Sequence, residues 1–466
     1  MAGDHRDHQV LDHLRNDGRC RRRAVLWRLG LVIIDRAMRI LILGSSLRGL
    51  ADAARISLAA GTDVLMYDTE SPEPPTDLEG RVTVLPSEWH PDYLKGVDRV
   101  ITSPWFAEVN PPISDAIARG VEVITEAGFG LEHMDAPFVA VTGTNGKTTV
   151  TELVTDMLVA SDVRAEGGGN LGSPISGMAD TDAEVLVLEL SSYQLRFLGG
   201  AVPTAAALLN IAPDHLDWHG TFERYVEAKA RIFLGMDQNS VLAYNADDPV
   251  VVSAVSSAEC MLVPCSGTTI PSNGNGVEGK RIFIDGQEFA SPTDDPSFLF
   301  DLVAAGTVAL AVGASTGGVR HGITSFRPGA HRRQIVETDD GIVWIDDSKA
   351  TNPHATLAAV SAHAPVVLLA GGQNKGLDLS PIGSLEGVTN LIAFGEAGPA
   401  ICHATRIPAT IVESLADAVN MARTLAGSGD TVLLSPGCAS FDEFSSYAER
   451  GDAFQRLVKQ TEGTAA

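Results

Sequence analysis

The chain has 466 residues, 44% hydrophobic and 20% charged, which excludes wholesale disorder and, at roughly 150 residues per domain, predicts about three domains. A formal net charge of −25 repels phosphate backbones, so nucleic acid is not an expected partner and any phosphate site must be local. No run of about eighteen apolar residues occurs, so no membrane-spanning helix is expected. The five cysteines (Cys20, Cys260, Cys265, Cys402, Cys438) form no CxxC pair, which fits reduced thiols in the cytoplasm.

Residues 1–37 carry eight arginines against five aspartates, opposite in sign to the rest. The cluster Arg19-Cys20-Arg21-Arg22-Arg23 before the apolar stretch Ala24 to Ile34 has a signal peptide's charged and apolar regions, but no small-residue cleavage site follows. The segment reads as sequence upstream of a true start at Met38, or as a disordered or interfacial extension. From Met38 the order is strand (Ile40 to Leu43), turn (Gly44-Ser45-Ser46-Leu47-Arg48-Gly49), helix (about Leu50 to Ala60) and strand Val64 to Tyr67, ending at Asp68. An acid there is where a dinucleotide-binding fold contacts a ribose, but the turn lacks the middle glycine, so an ordinary tight turn reads equally well. Runs at Val100-Ile101-Thr102 and Val121 to Ile124 complete a first α/β unit, 38–134.

The second unit, 135–326, opens on strand Phe138 to Thr142 and continues with helix Thr149 to Ala160 and strand Val185 to Leu188. A hairpin is expected around Arg281 to Glu288 and a helix over about Phe298 to Val312. The third, 327–466, begins with a hairpin around Asp339-Asp340-Gly341 and continues with strands at Val366 to Ala370, Leu391 to Phe394 and Val432 to Ser435. The expected architecture is three α/β domains in series: Rossmann-like, P-loop ATPase-like and Rossmann-like.

The sharpest motif is Gly143-Thr144-Asn145-Gly146-Lys147-Thr148-Thr149, between a buried strand and a helix. Glycines let successive N–H groups curl around phosphate oxygens at a helix N-terminus, Lys147 neutralises phosphate charge, and the Thr148 hydroxyl can ligate Mg²⁺. Val141 replaces the first glycine of the general pattern, so this is a shortened phosphate loop. Glu189 ends a strand beside that loop, a place for a metal or simply for an exposed acid. The segment Asn210-Ile211-Ala212-Pro213-Asp214-His215-Leu216-Asp217-Trp218-His219-Gly220 holds two His and two Asp, without the spacing of a zinc site. Lys229, in Glu227-Ala228-Lys229-Ala230-Arg231-Ile232-Phe233, reads from composition alone as a solvated helix charge, and His331-Arg332-Arg333 as a basic turn.

These segments, in this order, resemble the Mur ligase family, which makes amide bonds through ATP-activated carboxylates. In the third unit Asp347-Ser348-Lys349-Ala350-Thr351-Asn352, Gly371-Gly372-Gln373-Asn374-Lys375-Gly376 and Ser435-Pro436-Gly437-Cys438-Ala439-Ser440-Phe441-Asp442 resemble the D-glutamate-adding branch. The resemblance implies an enzyme that adds D-glutamate to UDP-N-acetylmuramoyl-L-alanine with ATP, through an acyl phosphate, as a cytoplasmic monomer. It implies catalytic roles for Lys147, His215, Lys229 and Arg332, and nucleotide contacts from Gly143 to Thr149 and from Arg332, Asp347 and Lys349. Two Mg²⁺ ions would be held by Thr148, Glu189, His215 and Lys229, the lysine carrying CO₂ as a carbamate. Substrate would meet Ser46, Leu47, Arg48, Asp68 and Thr69 on the UDP side and Asn170 near the UDP-sugar and the nucleotide, with Ser192 a further substrate contact. D-Glutamate would meet Thr351, Lys375, Ser440, Phe441 and Tyr447.

Three departures stand out. Ser297-Phe298-Leu299-Phe300-Asp301 replaces a helix start that in relatives contacts adenine, which leaves stacking on Phe298 or Phe300 as a candidate. Glu70 stands where an arginine often follows the uracil-binding pair, and Gln373-Asn374 replaces an acid–glycine. The competing readings are a Mur ligase for another amino acid, though the Asp-Asn-Pro-Arg string of diamino-acid adders is absent, a folylpolyglutamate synthetase, and a nucleotide-binding regulator with a dead ligase fold.

Overall fold

Aliphatic runs buried on both faces build parallel sheets, and the computed structural model, described over residues 38–44, 48–70, 73–170 and 172–460, contains two all-parallel sheets and a third that is parallel but for one edge strand. The first runs, in spatial order, Thr83–Val84, Asp63–Tyr67, Arg39–Leu43, Arg99–Thr102 and Glu122–Thr125, all parallel. Its strand order reverses between Arg39–Leu43 and Arg99–Thr102, and ligands of such sheets bind outside the carboxyl ends of strands at a reversal. The reading of residues 1–37 lies outside the described residues.

The second sheet runs Met261–Cys265, Val241–Asn245, Ala205–Leu208, Phe138–Thr142, Val185–Glu189 and Ala165–Gly169, also parallel. Its register pairs Val141 with Glu189 and Thr142 with Leu208. The phosphate loop, Glu189 and Asn210 therefore leave the sheet at one edge. The strand Ala165–Gly169 (Ala-Glu-Gly-Gly-Gly) has no apolar alternation, and sequence reasoning did not find it. It exists because it pairs with Val185–Glu189, and a Cβ on Gly169 (φ +107°) would lie 2.3 Å from the Glu189 carbonyl oxygen.

Helix Pro296–Ala311 covers this sheet beside helix Lys147–Val159 and is buried from Phe298 to Ala309, as a helix apolar on every side must be. Each fully buried Leu or Val on it, such as Leu302 or Val308, contributes about 1.5–3 kcal/mol. The expected hairpin is the core of a small antiparallel sheet, Gly276–Glu278, Arg281–Ile284 and Gln287–Ala290. The last sheet runs Gln334–Val336, Val343–Asp346, Thr431–Gly437, Val366–Gly371, Val388–Phe394 and Ala409–Ile411, with only its first pair antiparallel. Pairing of Asp346 and Leu369 with Leu434 brings the segments after all three strands to one edge. Cys260, Cys265, Cys402 and Cys438 are free thiols, and no described helix is long and apolar enough to cross a membrane.

Candidate functional site

The phosphate loop is held from the inside by two lysines. Lys147 Nζ donates to the carbonyls of Gly143 and Thr144, both at 3.0 Å, and Lys229 Nζ donates to the same Gly143 carbonyl at 2.7 Å. Lys229 is 1% exposed and lies 4.7 Å from the centre of the Tyr225 ring. Burial, then the neighbouring Lys147 cation, push its ammonium well below the ordinary lysine range, and burial lowers Lys147 as well. The surface-charge reading of Lys229 is thereby corrected: helix Phe222–Ala230 turns this residue inward, and no composition argument could show that. Gly146 caps helix Lys147–Val159 at φ +87°. Asn210 fastens the loop, its Oδ1 accepting from Asn145 N at 2.8 Å and its Nδ2 donating to Asn145 O at 3.0 Å.

Glu189 is buried; its Oε1 accepts from Asn170 Nδ2 at 2.9 Å, while its Oε2 has no hydrogen-bond partner among the described residues. A buried carboxylate oxygen left unpaired is costly, and a cation would satisfy it. His215 sits at φ +53°, a left-handed conformation uncommon for a non-glycine residue. Its Nε2 lies 3.8 Å from Asp214 Oδ2, its ring is 5.0 Å from that of Tyr193, and burial lowers its pKa. Among the described residues no three His, Cys, Asp or Glu side chains gather to hold a metal by themselves. Ser192 is buried, with Oγ 2.9 Å from His219 Nε2.

Residues from the third unit meet this loop. Asn145 Nδ2 donates to Asn352 Oδ1 at 3.3 Å and lies 3.1 Å from His354 Nδ1, and Asn352 Nδ2 donates to Asp214 Oδ2 at 3.4 Å. Between them opens a cavity of about 500 Å³ lined by Gly146, Asp301, Arg332, Asp347 and Lys349 among others. Asp347 accepts from Ser435 Oγ at 2.9 Å and from Arg333 N at 3.2 Å, and burial raises it to about 7. Lys349, over the Tyr447 ring at 5.2 Å, is lowered to about 8 by burial and by Arg332. Phe298 and Phe300 line the cavity, but the Arg333 guanidinium lies 5.1 Å from the Phe298 ring centre and Phe326 packs on that ring too. That leaves little of Phe298 for stacking.

Arg332 stands between two left-handed residues, His331 (φ +58°) and Arg333 (φ +49°). The flanks are pinned: His331 Nδ1 lies 2.7 Å from Asp346 Oδ2, and Arg333 pairs with Asp295. A Cβ on Gly451 would fall 2.1 Å from His331 Nδ1. Gly451→Ala is therefore expected to destabilise the fold by about 1–3 kcal/mol, as overpacking does, read as a lowered Tm; an unchanged Tm would show that His331 can retreat freely.

Of the amino-acid-side residues, Lys375 is exposed with Nζ 5.0 Å over the Phe441 ring, Phe441 is 58% exposed, Thr351 is half-buried and Ser440 is buried. Tyr447 instead faces Lys349 and shares a second cavity with Thr148, Thr149 and Arg332. Sequence reasoning missed Arg450, whose buried guanidinium donates to Ser348 O and Oγ and to the carbonyls of Cys438 and Ala439, tying two site segments together. On the first sheet, Thr69 N donates to Asp68 Oδ1 at 2.8 Å at the end of strand Asp63–Tyr67. Ser46 and Leu47 lie outside the described residues, as does the Arg48 side chain.

Residues 141–269 match the Mur ligase middle domain and residues 331–438 the Mur ligase glutamate ligase domain. The chain is 38% identical to the UDP-N-acetylmuramoylalanine--D-glutamate ligase of Rubrobacter xylanophilus over 79% of this chain and 86% of that one. It is 37% identical to the enzyme of the same name from Shouchella clausii, over 90% and 96%. Among solved structures, MurF from Acinetobacter baumannii aligns with a TM-score of 0.59 at 16% identity over 92% of this chain and 96% of that one. MurF from Thermotoga maritima, in complex with ADP, aligns with a TM-score of 0.56 at 16% identity, over 91% and 95%. At such identities these structures speak for the fold.

Proposed function

The chain belongs to the Mur ligase family, with relatives named UDP-N-acetylmuramoylalanine--D-glutamate ligase, and from that premise we propose that it joins D-glutamate to UDP-N-acetylmuramoyl-L-alanine using ATP. The observation that carries the chemistry is the convergence on the Gly143 loop of Lys147, Lys229, Glu189 with its unpaired oxygen, and Asn352 from the third unit. A carboxylate cannot release hydroxide to an amine, so the terminal phosphoryl group of ATP passes to the alanyl carboxylate. The D-glutamate amine then attacks the acyl phosphate, and phosphate leaves. Such transfer is mainly positioning and charge neutralisation. The loop N–H groups and Lys147 hold the phosphates, Arg332 stabilises charge on the moving phosphoryl group, and Asp347 and Lys349 orient the nucleotide. Lys375, Thr351, Ser440 and Phe441 receive the two carboxylates of D-glutamate.

Thr148, Glu189, His215 and a carbamate on Lys229 would hold two Mg²⁺ ions, which supply charge neutralisation at the reacting oxygens. The unpaired Glu189 oxygen fits a cation, and a lysine held neutral by burial fits capture of CO₂. UDP is assigned to the first sheet's carboxyl edge, near Asp68 and Thr69. We assign 38–134 to substrate, 135–326 to ATP and 327–466 to the amino acid, in a cytoplasmic monomer.

Phosphate release from ATP is expected only when UDP-N-acetylmuramoyl-L-alanine and D-glutamate are both present. A panel of amino acids assayed with that acceptor checks the reading. Equal turnover with L-glutamate or a diamino acid, or acceptance of a folate in place of the UDP-sugar, would overturn it.

A further inference from the structure

Two short helices of the second unit face the first unit at the edge of the site. Helix Leu216–His219 begins directly after His215, and helix Ser192–Arg196 begins shortly after Glu189. An aromatic cluster joins them. The Tyr193 ring lies 5.0 Å from that of His215 and 4.9 Å from that of Trp218, and it stacks on His219 at 5.6 Å. Buried His219 is fixed in turn by Ser192 Oγ, 2.9 Å from its Nε2. A helix of four residues cannot hold itself by its own hydrogen bonds, so these contacts decide where His215 stands.

Both helices are tied to one loop of the first unit, the loop that leaves strand Arg99–Thr102. Trp218 Nε1 donates to the Pro104 carbonyl at 2.9 Å, and Arg196 Nε donates to Glu108 Oε2 at 2.8 Å. This loop starts at the carboxyl edge of the first sheet, beside the reversal of strand order. There Ser103 Oγ is buried without a hydrogen-bond partner among the described residues, 3.1 Å from where a Cβ on Gly44 would stand. An unpaired buried hydroxyl is costly, and a polar ligand at that edge would satisfy it. One loop therefore has Ser103 on the edge assigned to UDP and the next residue bonded to the helix that follows His215.

The acceptor must reach both places at once. Its UDP end rests on the first sheet while its alanyl carboxylate meets the phosphoryl group beside Lys147 and His215, so the spacing of the two units has to match its length. A misplacement of about 1 Å costs about 10²-fold in rate. We propose that Trp218 is a positioning residue that sets this spacing, its N–H holding the Pro104 loop in register with His215. The Glu108–Arg196 pair is a second tie of the same register. This inference rests on the assignment of UDP to the first sheet.

Three ligands separate the two ends in calorimetric titrations of the full-length protein: UDP reads the first sheet, ADP reads the nucleotide cavity, and UDP-N-acetylmuramoyl-L-alanine with ADP present reads both together. Trp218→Phe keeps a ring against Tyr193 and His219 and removes only the N–H. It is expected to weaken the full acceptor by about three- to tenfold, the scale of one neutral hydrogen bond, with UDP and ADP unchanged within twofold. Its kcat is expected to fall about tenfold. Glu108→Lys, which sets an ammonium against Arg196, is expected to weaken the full acceptor about fivefold and again to spare UDP; it decides alone if Trp218→Phe does not fold. UDP weakened as much as the full acceptor would make the ties mere support for the first unit and overturn the proposal, as would an unchanged acceptor affinity. A wild type that binds ADP but no UDP would instead sink the UDP assignment, and this inference with it.

Discussion

Lys229→Ala is expected to lower kcat by about 10³-fold, the scale of losing one preorganised charge at a reacting centre. Lys229→Arg should be no better. The lysine is 1% exposed against the phosphate loop, where a second permanent cation beside Lys147 gains nothing, and a guanidinium can neither capture CO₂ nor ligate Mg²⁺. If the working form is the carbamate, a short carboxylate from solution can enter the vacated space and restore the anion. Acetate or propionate should therefore rescue Lys229→Ala in part, and should not rescue Lys147→Ala, whose missing group is a cation. A fully active Lys229→Arg enzyme would remove Lys229 from the metal site and leave it only as a tie to the Gly143 carbonyl.

Arg332→Ala is expected to lower kcat by about 10³-fold while leaving ATP affinity within a few-fold of wild type, because an arginine facing a moving phosphoryl group acts mainly on the transition state. The loop geometry supports this split. Arg332 reaches the cavity without a side-chain partner among the described residues, between two left-handed residues that are separately anchored, so its removal leaves the frame in place. Equilibrium binding and single-turnover phosphate release measured on the same preparation separate the two effects. A loss of affinity equal to the loss of rate would make Arg332 a ground-state ligand instead.

Chain order and local chemistry by themselves determined much of this protein. Apolar runs flanked by glycine marked the parallel central strands of the three large sheets, because a strand buried on both faces has no choice but to be apolar. The spacing Gly143 to Thr149 between strand and helix marked a phosphate loop, because only glycines and a helix N-terminus present so many free N–H groups. What the sequence could not supply was direction and company. Lys229 looks like any helix lysine until the helix is docked and its amine meets the Gly143 carbonyl. Strand Ala165–Gly169 has no pattern of its own and exists only through pairing with its neighbour. Arg450 is an unremarkable letter far from the loop in sequence, and only the folded chain sets its guanidinium between the Ser348 and Cys438 segments. Burial, which strips solvent from an ionisable group, and long-range closure, which sets one unit's side chains against another's backbone, are properties of the folded chain, and those alone decided which acids, amides and cations share the cavity.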